Sequence, residues 1–194
     1  MSFITQVTIS VVIYFIIRFF LKKERYLYIS AFVSALSYIM IYSLNYEIVS
    51  VLPAIHFMVT GLSILFVFIA YSEIIILERK VRKIKKGVLG AFENFSVEKN
   101  YKIVFKLLGI GLLFLSLALI SGLSLQTVFT TNLILKTVFT FVAWLIFVVT
   151  VIGVNYFNFS IKNATRSLFI AMWAVLGAYY MNSYLIGSLS LIHI

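Results

Sequence analysis

The chain has 194 residues, 63% of them hydrophobic and only 11% charged, with a single proline and a mean hydropathy of +1.11. Soluble domains carry about a quarter charged residues, and a soluble core cannot bury this much apolar surface, so a soluble enzyme or binding module is excluded. The net charge of +10 raises the question of nucleic acid, but the basic residues alternate between connections as membrane orientation requires, and no nucleic-acid partner is expected.

Six apolar runs, at 3–21, 28–44, 52–77, 103–121, 133–156 and 168–191, follow one another along the chain. Crossing a hydrocarbon layer of about 30 Å takes about 20 helical residues at about 1.5 Å each. The expected fold class is therefore all-α: a polytopic membrane helix bundle of about six transmembrane helices, forming one integral membrane domain over residues 1–194. No positive charge precedes the first run, which ends in Arg18, Lys22, Lys23 and Arg25. That is the reverse of a signal peptide's charge order, and the run reads as a retained span.

Connection one carries Lys22, Lys23 and Arg25, and connection five carries Lys162 and Arg166. Around the basic connection 78–102 lie Arg79, Lys80, Arg82, Lys83, Lys85, Lys86, Lys99, Lys102 and Lys106, whereas 45–51 and 122–132 contain no Lys or Arg. The positive-inside rule places the basic connections in the cytoplasm. Both termini are then expected on the non-cytoplasmic side of an inner or organellar membrane, with Lys136 the one basic residue left there. After Gly87 and Gly90 come Val88, Leu89, Phe92 and Phe95, which read as an interfacial segment following a helical extension. Such a segment anchors the chain by charge and aromatic insertion, or binds anionic lipid or a cytosolic partner.

The sequence shows no inverted repeat of the transporter kind. The sequons at Asn94, Asn158 and Asn163 fall on the expected cytoplasmic side and are not expected to be glycosylated. Without cysteine, disulfides, thiolate metal sites and thiol relays drop out. There is no glycine-rich phosphate loop, no carboxylate pair within a span and no Ser, His and acid set at a recognisable spacing, so no catalytic residue is assigned.

Polar groups inside apolar runs remain as site candidates, because they are costly there. His56, one helical turn after Pro53, and His193, beside the C-terminus, both fall at outer ends of spans. Neutral imidazoles in an apolar surround suit axial ligation of a haem iron; the bland alternative is two interfacial histidines wetted by headgroup water. Glu73, about a turn inside the cytoplasmic end of span three, is expected to snorkel to that interface, to pair with Arg79 or Lys80, or to carry protons. Trp144 sits mid-span, where it would pack against a flat ligand or a neighbouring helix. Ala174 with Ala178 and Ser183 with Gly187, together with Gly109, Gly111 and Gly153, mark places where helices approach closely.

Residues 54–183 resemble the cytochrome c assembly family, the haem-handling proteins of the CcsA and CcmC type with their HemX-like and YpjD-like relatives. In that family a histidine opens a span that ends in a basic run, as His56 does in AIHFMVTGLSILFVFIAYSEIIILERKVRK. A short charged segment then leads into a glycine-containing span ending in a Ser/Thr-Gly pair, matched by Ser121 and Gly122. The most specific piece is a lysine eight residues before a Trp-aliphatic-Ile/Val-aromatic run. KTVFTFVAWLIF supplies Lys136, Trp144, Leu145, Ile146 and Phe147, and Gly153 falls where the YpjD-like branch has glycine.

The tryptophan-rich Trp-x-Trp-Asp-Pro segment of the haem-synthetase members is replaced by SLQTVFTTN, and Val154 stands where many relatives carry a histidine. The resemblance therefore implies an accessory protein of cytochrome c maturation that binds or handles haem, and not a haem lyase. It implies His56, by position, as a haem-iron ligand; His193 matches by topology alone and joins it as the second histidine at an outer span end, Lys136 and Trp144 would serve the fold or a ligand-facing surface, and cytochrome c maturation proteins or other membrane-complex subunits would be partners beside the lipid bilayer. A structural or assembly subunit of a larger membrane complex is the alternative class. An accessory to divalent-cation transport is a third, suggested by the YpjD-like branch alone.

Overall fold

The computed structural model describes residues 3–21, 27–45, 51–86, 97–125, 131–157, 159–160, 162–175 and 177. The described residues form six helices and no strand: α1 (Phe3–Phe20), α2 (Leu27–Asn45), α3 (Val51–Lys85), α4 (Val97–Ser124), α5 (Thr131–Tyr156) and α6 (162–175). The first five are long and apolar enough to cross a membrane. Only helices and closed barrels satisfy every backbone N–H and C=O in hydrocarbon, so the expected all-α membrane bundle is the architecture found, and the chain is an integral membrane protein. The C-terminal part of the sixth expected span, with Ala178, Ser183, Gly187 and His193, lies outside the described residues.

Three helix ends differ from the apolar boundaries. α3 runs on to Lys85, α4 begins at Val97 and α6 is already helical at 162. Backbone hydrogen bonding propagates as long as the side chains are good helix formers, whether or not they are apolar. At 35 residues α3 is about 50 Å long, far more than the hydrocarbon layer needs, so its Lys- and Arg-rich last turns extend beyond it. The α6 boundary has a local cause in Ser160, whose Oγ accepts from the Asn163 N–H at 3.3 Å while its carbonyl accepts from Ala164 N–H at 3.0 Å. This is an N-cap.

The chain divides into two compact units, 1–118 and 119–194. In unit 1, α3 is the central element. Its buried residues include Leu62, Ser63, Phe66, Ile69, Ala70, Glu73 and Leu77, a stripe at three- and four-residue spacing. Lipid tails are as apolar as leucine, so association of these helices rests on close packing and interhelical hydrogen bonds. α2 accordingly turns a small-residue stripe inward, with Ser30, Ala31, Ser34 and Ala35 buried, and Ser34 Oγ donates to Ser10 O of α1 at 2.6 Å.

Gly61 of α3 admits the Tyr38 phenol of α2, whose hydroxyl reaches Phe57 O at 3.4 Å; a Cβ at Gly61 would fall within that ring. Tyr42 Oη donates to Ala54 O at 3.0 Å. On the α4 side, Ser63 Oγ donates to Gly111 O at 3.2 Å, and Phe66 stacks on Phe114 with ring centroids 5.8 Å apart. A Cβ at Gly111 would stand 3.1 Å from Val67 Cγ2, so the close-approach reading holds there, whereas a Cβ at Gly109 would meet nothing within 4 Å among the described residues.

In unit 2, Ala143, Phe147, Thr150 and Val154 form the buried stripe of α5, and Ala164, Leu168 and Ala171 that of α6. Phe159 folds back over Gly153, its N–H donating to Gly153 O at 3.1 Å and its ring 2.6 Å from where a Cβ would sit. Gly153 is therefore needed by the turn between the two helices.

Candidate functional site

His56 lies near the N-terminal end of α3, opposite its basic end. Pro53 occupies the first turn, where a missing N–H costs nothing because no carbonyl precedes it. The imidazole is half-buried, its ring edge-on to Phe57 at 5.6 Å between centroids, and the His56 carbonyl accepts from Thr60 Oγ1 at 2.7 Å. The flanking ring is its chain neighbour and is itself 48% exposed. His193, the second candidate, lies outside the described residues. Among the described residues no group of three or more His, Cys, Asp or Glu comes together to hold a metal ion.

Trp144 is half-buried on α5 and stacks on Phe141, with centroids 5.7 Å apart and planes 18° from parallel. That pair is three residues apart on one helix, so this stack is local to α5. Lys136 is helical on the same element, and its side chain lies outside the described part of the structure.

Glu73 departs most from expectation. It neither snorkels to solvent nor pairs with Arg79, which is exposed. Its side chain is 5% exposed, and Oε1 accepts from Tyr14 Oη at 2.7 Å and from Arg18 Nε at 3.0 Å, both on α1. The cause is helical phase. Six residues on, Arg79 is rotated about 120° away from Glu73, at about 100° per residue. Tyr14 and Arg18, four apart on α1, stack on one face and meet the carboxylate together. Arg18, 13% exposed, also donates from Nη1 to Leu21 O at 3.2 Å, which ties the C-terminal end of α1 to its own side chain. Burying a carboxylate is costly without a counter-ion and a hydrogen-bond donor, and here Arg18 and Tyr14 supply them.

Beside this triad is a partly open crevice of about 240 Å³, its mouth included, lined by Arg18, Glu73, Lys80 and Asn100 with apolar walls from Leu27, Leu77 and Val104. Lys80 thus shares a pocket with Glu73, two helical turns along the same stripe. Sequence reasoning singled out Glu73 but missed Tyr14 and Arg18 as its partners. The available signal was the i, i+4 spacing of a tyrosine and an arginine at the end of an otherwise apolar span. No family model matches the chain, and neither a curated protein nor a solved structure matches it.

Proposed function

We propose that this chain is a haem-binding or haem-handling membrane protein of the cytochrome c maturation type, an accessory that performs no covalent chemistry with its own residues. The observation that carries the reading is His56, a half-buried imidazole on an apolar helix, at the end of α3 away from the basic run. The family resemblance in Lys136, Trp144 to Phe147 and Gly153 supports it. In this reading His56 and His193 would hold the haem iron and Trp144 would contact the group, with both histidines on the non-cytoplasmic side with the termini. When bound, haem would supply a redox-active iron. The chain's part would be to hold the group through these side chains among apolar helices.

The test is to purify the protein with haem supplied and to record oxidised and reduced absorption spectra of wild type, His56→Ala and His193→Ala. A low-spin spectrum lost in both variants supports two ligands, and loss in one alone leaves a single ligand. A wild type that takes up no haem overturns the proposal, and stable stoichiometric copurification of another membrane subunit would then favour the assembly-subunit class.

A further inference from the structure

α3 is longer than the bilayer it crosses. Its 35 residues cover about 50 Å, or about 47 Å along the membrane normal at a tilt of about 20°, against about 30 Å of hydrocarbon and about 40–45 Å with both headgroup layers. At the Pro53 end, Val51, Leu52 and Ile55 are exposed apolar side chains, which hold that end at the edge of the hydrocarbon. The excess therefore emerges at the other end, where about 10 Å of helix, beginning near Arg79, stands beyond the headgroups. The stretch from Glu78 to Lys86 carries six bases against that one acid.

Helical phase sorts these bases. At about 100° per residue, Arg79, Arg82, Lys83 and Lys86 fall within an arc of about 100°; all four are exposed, and they lie opposite the buried stripe that ends in Leu77. Val81 and Ile84, half-buried, lie on the side of that stripe. The Lys86 N–H still donates to Arg82 O at 3.2 Å, so the phase holds to the last cation. Arg82 pairs with Glu78 at 2.7 Å, whereas the side chains of Arg79, Lys83 and Lys86, at i, i+4 and i+7, make no ion pair or hydrogen bond among the described residues.

Orienting a span needs positive charge near the headgroups and nothing further out, so an ordered cationic face above them is surplus to that purpose. A lipid surface lies below this face and not against it. At Lys86, about 10 Å out, screening with a Debye length of about 8 Å removes most of the attraction to headgroups. A soluble protein meets the face side-on, and because the helix is already formed, docking costs no ordering of this segment. Cations one turn apart along a helix match carboxylates at the same spacing on another helix. We propose that Arg79, Lys83 and Lys86 of the α3 extension dock an acidic helix of a soluble protein, on the side of the membrane that the basic connections face. This inference is independent of haem binding.

The experiment uses the full chain in phosphatidylcholine nanodiscs. Fluorescence anisotropy follows a helical peptide with three glutamates at i, i+4 and i+7, against an isomer that carries them at i, i+2 and i+5. The first peptide is expected to bind more tightly than the isomer. Arg79→Gln, Lys83→Gln and Lys86→Gln should each weaken it about two- to fivefold, the range of single exposed ion pairs. Lys85→Gln removes an exposed cation about 120° round the helix from this face and should behave as wild type. No binding, equal binding of the isomer, or an equal loss in Lys85→Gln would overturn the docking face. Loss of the peptide when phosphatidylglycerol is added to the discs would assign the face to lipid, and displacement by single-stranded RNA at equal charge would assign it to nucleic acid; either overturns a protein partner. The chain has no cysteine, so Lys86→Cys accepts a single spin label. Contact of that label with an aqueous relaxation agent is expected, and a label shielded by lipid would overturn the projection on which the face depends.

Discussion

Removing the Arg18 guanidinium while leaving Glu73 in place tests the reasoning about the buried triad most directly. In Arg18→Leu the carboxylate, 5% exposed, keeps the Tyr14 hydrogen bond at 2.7 Å and loses its counter-ion. Leaving one member of a buried ion pair uncompensated costs about 3–5 kcal/mol on the soluble-protein scale. Glu73→Leu is milder, because Arg18 is in the last turn of α1 and its long side chain can extend to headgroup water. About 1–2 kcal/mol is expected, most of it for the unsatisfied Tyr14 hydroxyl. The double variant Arg18→Leu/Glu73→Leu removes both charges together and should be close to Glu73→Leu alone. The cycle then gives a coupling about equal to the Arg18→Leu loss, about 3–5 kcal/mol. Unfolding in mixed micelles, followed by helix content against denaturing detergent, measures all four proteins. Additive single-variant losses in the double variant would refute the claim that the two side chains act as one neutralised unit.

Gly61→Ala should destabilise by about 1–3 kcal/mol through overpacking, because the new methyl falls in the buried Tyr38 ring, whereas Gly109→Ala, with open space at its Cβ, should be neutral or slightly stabilising; thermal midpoints of the pair in one detergent decide this. Trp144→Ala should cost less than the 3–5 kcal/mol of a fully buried tryptophan, since the indole is half-buried and its stacking partner Phe141 is 49% exposed. Unchanged accumulation and an unchanged midpoint would argue against any packing role for it. Reporter fusions after Lys86 and Ile194 should indicate the cytoplasmic and the non-cytoplasmic side respectively, and a cytoplasmic report at Ile194 would mean that the span count or the orientation is wrong.

The number, order and approximate limits of the helices were legible in the sequence because the bilayer imposes a length on every apolar run and leaves the backbone no alternative to helix. The close approach of helices was legible at Gly111, but the same reading failed at Gly109, which faces open space among the described residues, and at Gly153, which is covered by Phe159 of the turn after its own helix. The helix ends were less so, as in α3 and α4, where charged but helix-favouring residues carry the helix past the apolar boundary. The partners of Glu73 were not legible at all. Tyr14 and Arg18 are 59 and 55 residues away in sequence, while the sequence pointed first to snorkelling and otherwise to a pair with the nearby Arg79 or Lys80. Only the packing of α1 against α3, which sets the rotation of each helix about its own axis, could decide which cation a buried carboxylate meets. Hydropathy records that a residue is within the membrane and carries no information about the direction it faces.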